Sequence, residues 1–87
     1  MRRLRLIMLR LINIRKNDEF IEAGYVPENS NEVGYLKLKL SDKSCVESKI
    51  TSYDKMGPTY LFKAQDVLGE LADSATPLPK ERLVMWY

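Results

Sequence analysis

The chain has 87 residues, 45% of them hydrophobic and 30% charged, and a net charge of +2. That length admits one domain, and that composition excludes a disordered tail. The absence of histidine removes the commonest general base and zinc ligand, and a single cysteine, Cys45, excludes an internal disulfide and fits a reducing cytoplasm.

The opening stretch "MRRLRLIMLRLINIRK" holds five arginines, one lysine and no acid, whereas the remaining 71 residues carry eight basic and twelve acidic side chains. Its apolar run is interrupted by Arg10 and no small-residue cleavage site follows, which argues against a signal peptide. It is also about half the ~20 apolar residues that a membrane span requires. An amphipathic helix places Leu4, Ile7, Leu11 and Ile14 on one stripe but leaves Leu6 and Leu9 on the polar side. A strand over residues 9–15 is the preferred reading, with Arg10, Ile12 and Ile14 on one face and Leu9, Leu11 and Asn13 on the other. The imperfect alternation suits a central strand covered on both faces. Met8 is a second candidate start, which makes residues 1–7 an upstream extension dispensable for the fold. The charge asymmetry is expected to come from a basic terminus folding back on an acidic body. The alternative is an arm for phosphate or an anionic membrane.

Asn17 and Asp18 mark a turn, and residues 20–26 a second strand in which Gly24 signals a bulge or a close neighbour. Pro27 closes that strand, and residues 27–32, "PENSNE", form a loop in which Asn29, Ser30 and Asn31 tolerate turn geometry. Residues 33–41 give the clearest alternation in the chain. Leu36, Leu38 and Leu40 point to a dry face; Tyr35, Lys37 and Lys39 point to a wet one. After a turn at 42–44, residues 45–53 continue the meander, with Val46 and Ile50 on the dry face and Glu47, Lys49, Thr51 and Tyr53 on the wet face. Gly57 and Pro58 end it. A helix follows over residues 59–75, its stripe formed by Leu61, Ala64, Leu68, Leu71 and Ala75 and widened by Val67 and Ala72. Thr59 is a candidate N-cap, or Pro58 a first-turn proline. Two prolines break the helix, and "RLVMWY" at 82–87 has the content of a last strand.

The expected fold is therefore α+β: a four- or five-stranded, mostly antiparallel sheet with one helix across its dry face. The ending "PKERLVMWY", together with "FIEAGYVPENSNEVGYLKL", resembles a group of small uncharacterised proteins of Gram-positive bacteria, some carried on phage-like or mobile elements. The resemblance spans residues 9–87 and brings no catalytic or binding residue with it.

Asp18, Glu19 and Glu22 are the densest carboxylates, but they flank a turn, where a solvated loop explains them. Glu28 and Glu32 lack the ordered spacing of a calcium loop. Cys45 has no histidine partner and is expected to be a structural or incidental thiol. Ser52, Tyr53, Lys55 and Gly57 precede the helix without any phosphate-loop pattern, so a turn and cap is the expectation. The wet face is the candidate binding surface, with Tyr35, Lys37, Lys39, Lys49 and Tyr53 together on it. Basic and aromatic side chains on a sheet hold single-stranded nucleic acid in several modules, and tyrosine equally supplies contact area for a protein. Glu47 interrupts the basic patch. The expectation is a cytoplasmic protein-binding module without catalysis, cofactor or metal, self-association into a homodimer included. Nucleic acid held by Arg2, Arg3, Arg5, Lys37, Lys39 and Lys49, with Tyr35 and Tyr53 stacking, is the alternative. A small enzyme built near Asp18 or Thr59 is the third.

Overall fold

The structure is a computed structural model of the chain. It describes residues 7–28, 30–54, 57, 59–74 and 77–86. Arg2, Arg3 and Arg5, and with them the basic arm, lie outside the described residues, as do Asn29, Lys55, Pro58, Ala75 and Tyr87.

Five strands and one helix follow the expected order: β1 Ile7–Lys16, β2 Phe20–Pro27, β3 Gly34–Lys39, β4 Cys45–Lys49, α1 Thr59–Ser74 and β5 Arg82–Trp86. The sheet runs β4-β3-β2-β1-β5, with every neighbouring pair antiparallel. The first four strands form a meander, and α1 carries the chain back across the sheet so that β5 joins on the far side of β1. The fold is a small α+β domain, as the pattern of strands, helix and strand implies.

One face of the sheet forms the core. Leu9, Leu11 and Ile14 from β1, Ile21, Ala23 and Tyr25 from β2, Leu36 and Leu38 from β3, and Val84 from β5 are buried there. Leu61, Ala64, Leu68, Leu71 and Ala72 of α1 close over them. The helix lies over β2 and β3 and more lightly over β1. Fully burying each leucine is worth roughly 1.5–3 kcal/mol.

Ile14 sits on the face opposite to that expected for it. Asn13 adopts a left-handed backbone, φ 52°, and β1 advances three residues from Ile12 to Arg15 while β2 advances two from Gly24 to Glu22. This is a one-residue bulge, and asparagine is among the residues that accept such a conformation most readily. The bulge reverses the parity of the strand, so Ile14 joins Leu9 and Leu11 in the core. The irregular alternation of β1 thus comes from a bulge and not from burial on both faces. Ile7 is the first residue of β1 and pairs with Trp86, so a dispensable segment drawn through residue 7 cuts into the sheet.

β4 departs from expectation as well. All five of its residues are exposed. Val46 and the following Ile50, placed under the helix by their spacing, are 50% and 47% exposed. β4 is an edge strand beyond the reach of α1, and its register slips where β3 passes from Lys37 to Leu38. Thr51, expected on the wet face, is buried.

Leu68 is fully buried at the centre of the helix stripe. Leu68→Ala removes its apolar contacts and leaves a cavity, and is expected to destabilise by roughly 2–4 kcal/mol, measured as a fall in the midpoint of chemical denaturation. An unchanged midpoint would be incompatible with this seating of α1.

Candidate functional site

The side chains of the uncovered face are arranged in rows across the strands. Arg15 pairs with Glu22, Glu22 with Lys37, and Lys37 with Glu47, so one row alternates in charge over four strands. A second row runs Ile12, Gly24, Tyr35 and Lys49. Lys39 pairs with Phe20 at the turn end. Opposite charges at neighbouring positions of the first row attract, whereas Lys39, Lys49 and Arg10, which pairs with Val26 and Leu83, lie in rows that carry no acid.

Tyr35, Lys37, Lys39 and Lys49 therefore share a face, as their spacing implies, but two of them are already engaged within the sheet. The Tyr35 hydroxyl donates to Glu22 Oε2 at 2.8 Å. Desolvation first, and then this bond, push the phenol up to about 12. The Lys37 ammonium sits 4.6 Å from the centroid of the Phe20 ring, a cation–π contact. Tyr53 does not join them. It lies in a 3-10 turn, Ser52–Asp54, with its ring edge-on to Tyr60 at 6.1 Å, and Tyr60 in turn stacks edge-on to Trp86 at 5.9 Å. The chain leaves the plane of the sheet after Lys49, which carries Tyr53 to the helix side.

The rest of the uncovered face, toward β5, sets apolar side chains around Arg10. Ile12 and Val33 fill the space over Gly24, where an added Cβ would lie 3.1 Å from a γ-carbon of each. Leu83 and Met85 of β5, paired with Arg10 and Met8, are 54% and 53% exposed. An open groove of about 510 Å³ runs between Met8, Arg10, Val26 and Leu83 and the loop residues Ser30 and Asn31.

The carboxylates considered for chemistry are placed differently. Asp18 and Glu19 are exposed in the β1–β2 turn, where Asn17 Oδ1 accepts the backbone N–H groups of Glu19 and Phe20 at 2.8 Å each. Glu32 accepts the backbone N–H of Ser52 at 3.2 Å and also its hydroxyl. Cys45 is an exposed free thiol. Among the described residues no group of three or more histidine, cysteine or acidic side chains is disposed to hold a metal ion. Of the basic opening stretch, Arg10 and Arg15 lie on the uncovered face. Lys16 donates to the Ala72 carbonyl at 2.9 Å, at the negative end of α1, where a cation is favoured.

The best-connected polar group was not singled out by sequence reasoning. Asp54 is buried, accepts the Tyr25 hydroxyl on Oδ2 at 2.6 Å, and accepts the Tyr60 backbone N–H on Oδ1 at 2.9 Å. It thus caps α1 in the role expected of Thr59 or Pro58. The Tyr25 hydroxyl also accepts the Thr51 N–H at 3.3 Å. Burial, and next the bond to Asp54, raise the Tyr25 phenol well above its ordinary value.

No protein-family model, curated protein or solved structure matches the chain. Among the described residues no helix is long and apolar enough to cross a membrane.

Tyr25→Phe leaves Asp54 Oδ2 and the Thr51 N–H without this partner, at an expected cost of about 1–3 kcal/mol. The pH dependence has a definite sign. Folded Tyr25 keeps its proton above pH 10 while the unfolded chain releases it, so its contribution is complete below pH 10 and is lost above it. That loss is about 1.4 kcal/mol per pH unit for one proton. Denaturation of both proteins from pH 8 to 11.5 should show a shallower alkaline decline in Tyr25→Phe. Parallel curves would mean that the phenol is not held as described.

Proposed function

We propose that the protein is a small cytoplasmic binding module without catalysis of its own, which presents the uncovered side of its sheet to a protein partner. The observation that carries this reading is the division of that side. The charges of Arg15, Glu22, Lys37 and Glu47 answer one another across the strands, while Val33, Leu83 and Met85 remain more than half exposed. Apolar surface rimmed by polar residues is the composition of a protein interface. Against a nucleic-acid surface stand Glu22 and Glu47, which interrupt the basic groups in the row of Arg15 and Lys37.

The test combines two measurements. The immobilised chain is exposed to a lysate of the native cell with and without nuclease treatment, alongside Val33→Glu, which places a charge in the apolar region outside β5. Capture of a protein that survives nuclease and falls at least tenfold with Val33→Glu is expected. In parallel, fluorescence anisotropy with labelled single- and double-stranded oligonucleotides at physiological salt, where the Debye length is about 8 Å, should show no sub-micromolar binding. Sub-micromolar affinity weakened by Tyr35→Ala, with a log–log salt slope near −2 for three lysine contacts to a single strand, would replace this reading by the nucleic-acid one.

A further inference from the structure

The two edges of the sheet are unlike. β4 carries Glu47 and Lys49 and has a register shift against β3. Charges and bulges are devices by which sheets blunt an edge. β5 has one charge, Arg82, then Leu83, Val84, Met85 and Trp86 in regular register with β1. Among the described residues no strand pairs with its outer side.

We propose that β5 is a self-association edge. Two copies of the chain join β5 to β5 antiparallel about a two-fold axis at Val84, merging their sheets. This rests on the reading that the protein is a binding module and names a second copy as an occupant of one edge. The sequence of the strand is complementary to its own reverse. With the axis at Val84, Leu83 of each copy lies opposite Met85 of the other on the uncovered face, so both exposed apolar side chains gain an apolar neighbour. Val84 faces Val84. On the helix side Arg82 falls beside Trp86 of the second copy, whose ring already has the Lys63 ammonium 5.7 Å from its centroid, so this pair contributes least. An axis at Leu83 would instead set the charge of Arg82 against Val84.

The pairing is isologous, so one patch serves both copies and the assembly closes at two. The axis stands perpendicular to the sheet and leaves both helices on the same side. Each copy has a groove of about 460 Å³ between α1 and β5, lined by Lys63, Asp66, Glu70 and Arg82 among others. The two-fold sets the Lys63 end of one groove across from the Glu70 end of the other. A strand of five residues spans only roughly 17 Å, which is small beside the ~1,200–2,000 Å² interfaces of tight complexes. The dimer is accordingly weak, with a dissociation constant on the order of 10–100 μM.

Sedimentation velocity of the full chain from 10 μM to 1 mM tests this. The weight-average mass should rise from the 10.1 kDa of one chain toward twice that value. Leu83→Lys combined with Met85→Lys opposes like charges at both pairs and should stay monomeric throughout. Leu83→Lys combined with Met85→Glu opposes unlike charges at both pairs and should dimerise again. Val46→Lys, on the other edge, should behave as wild type. Circular dichroism verifies that each variant is folded. A wild type that is monomeric throughout, a dimer indifferent to the double lysine change, or no recovery in the lysine–glutamate variant would each overturn the proposal. None of these outcomes touches the Val33→Glu comparison, which stands or falls on partner capture alone.

Discussion

The hydrogen bond from Tyr25 to Asp54 is the constraint on which the arrangement of the molecule depends. Tyr25 is fully buried in β2, and its partner across the sheet is Gly34. A Cβ at Gly34 would run into the Tyr25 ring, so the absence of a side chain there is what lets the ring lie across β3. The hydroxyl then reaches the turn that precedes α1. A buried carboxylate is costly unless its oxygens are bonded. Asp54 has one donor for each, and the second, the Tyr60 N–H, belongs to the positive end of the helix. Sheet, turn and helix are thereby joined at one point, and Glu32 reinforces it by taking the backbone and hydroxyl of Ser52. The other end of α1 is held by Lys16 on the Ala72 carbonyl and by Lys43, which pairs with Asp73 at 3.0 Å.

Fixing the helix at both ends over β2 and β3 decides which surfaces remain open. One face of the sheet is sealed, and among the described residues no helix crosses the other. On the open face strand register sets Arg15, Glu22, Lys37 and Glu47 at neighbouring positions of one row. Exposed pairs of this kind contribute little stability, about 0–1 kcal/mol each. The row runs from Arg15 on β1 to Glu47 on β4, and the exposed Leu83 and Met85 of β5 lie beyond it.

How far the sequence disclosed this depends on the distance over which each signal acts. β3 was legible because its two faces meet different surroundings along its whole length, so Leu36 and Leu38 alternate with Tyr35 and Lys37 without interruption. The helix was legible for the same reason, its stripe from Leu61 to Leu71 being set by a single packed face. β1 misled because one residue in a left-handed conformation, Asn13, reverses the parity of everything after it. Asparagine marks a permitted bulge but does not require one. β4 misled because an edge strand outside the footprint of the helix need not alternate at all. Thr51 and Asp54 resemble ordinary turn residues, and their burial follows from a tyrosine more than twenty residues earlier. The site was half visible: the grouping of Tyr35, Lys37, Lys39 and Lys49 follows from period-two spacing, whereas the removal of Tyr53 to the helix side and the apolar half of the face follow from topology.

The order of the strands accounts for that apolar half. A fifth strand following directly on β4 would have taken the free edge beside it, and Cys45–Lys49 would then be interior. The chain instead crosses the sheet with α1 and sets β5 beside β1, so the strand that is richest in apolar side chains becomes the second edge. Burial in the core requires only one of its central residues, Val84, to be apolar. Leu83 and Met85 point away from the core, and nothing in the packing of the single chain calls for a hydrophobic residue at either place. Lysine or glutamate there would protect the edge at no cost to the core, as Glu47 and Lys49 do on β4. Leu83 and Met85 are the side chains that the proposed pairing of two copies would cover.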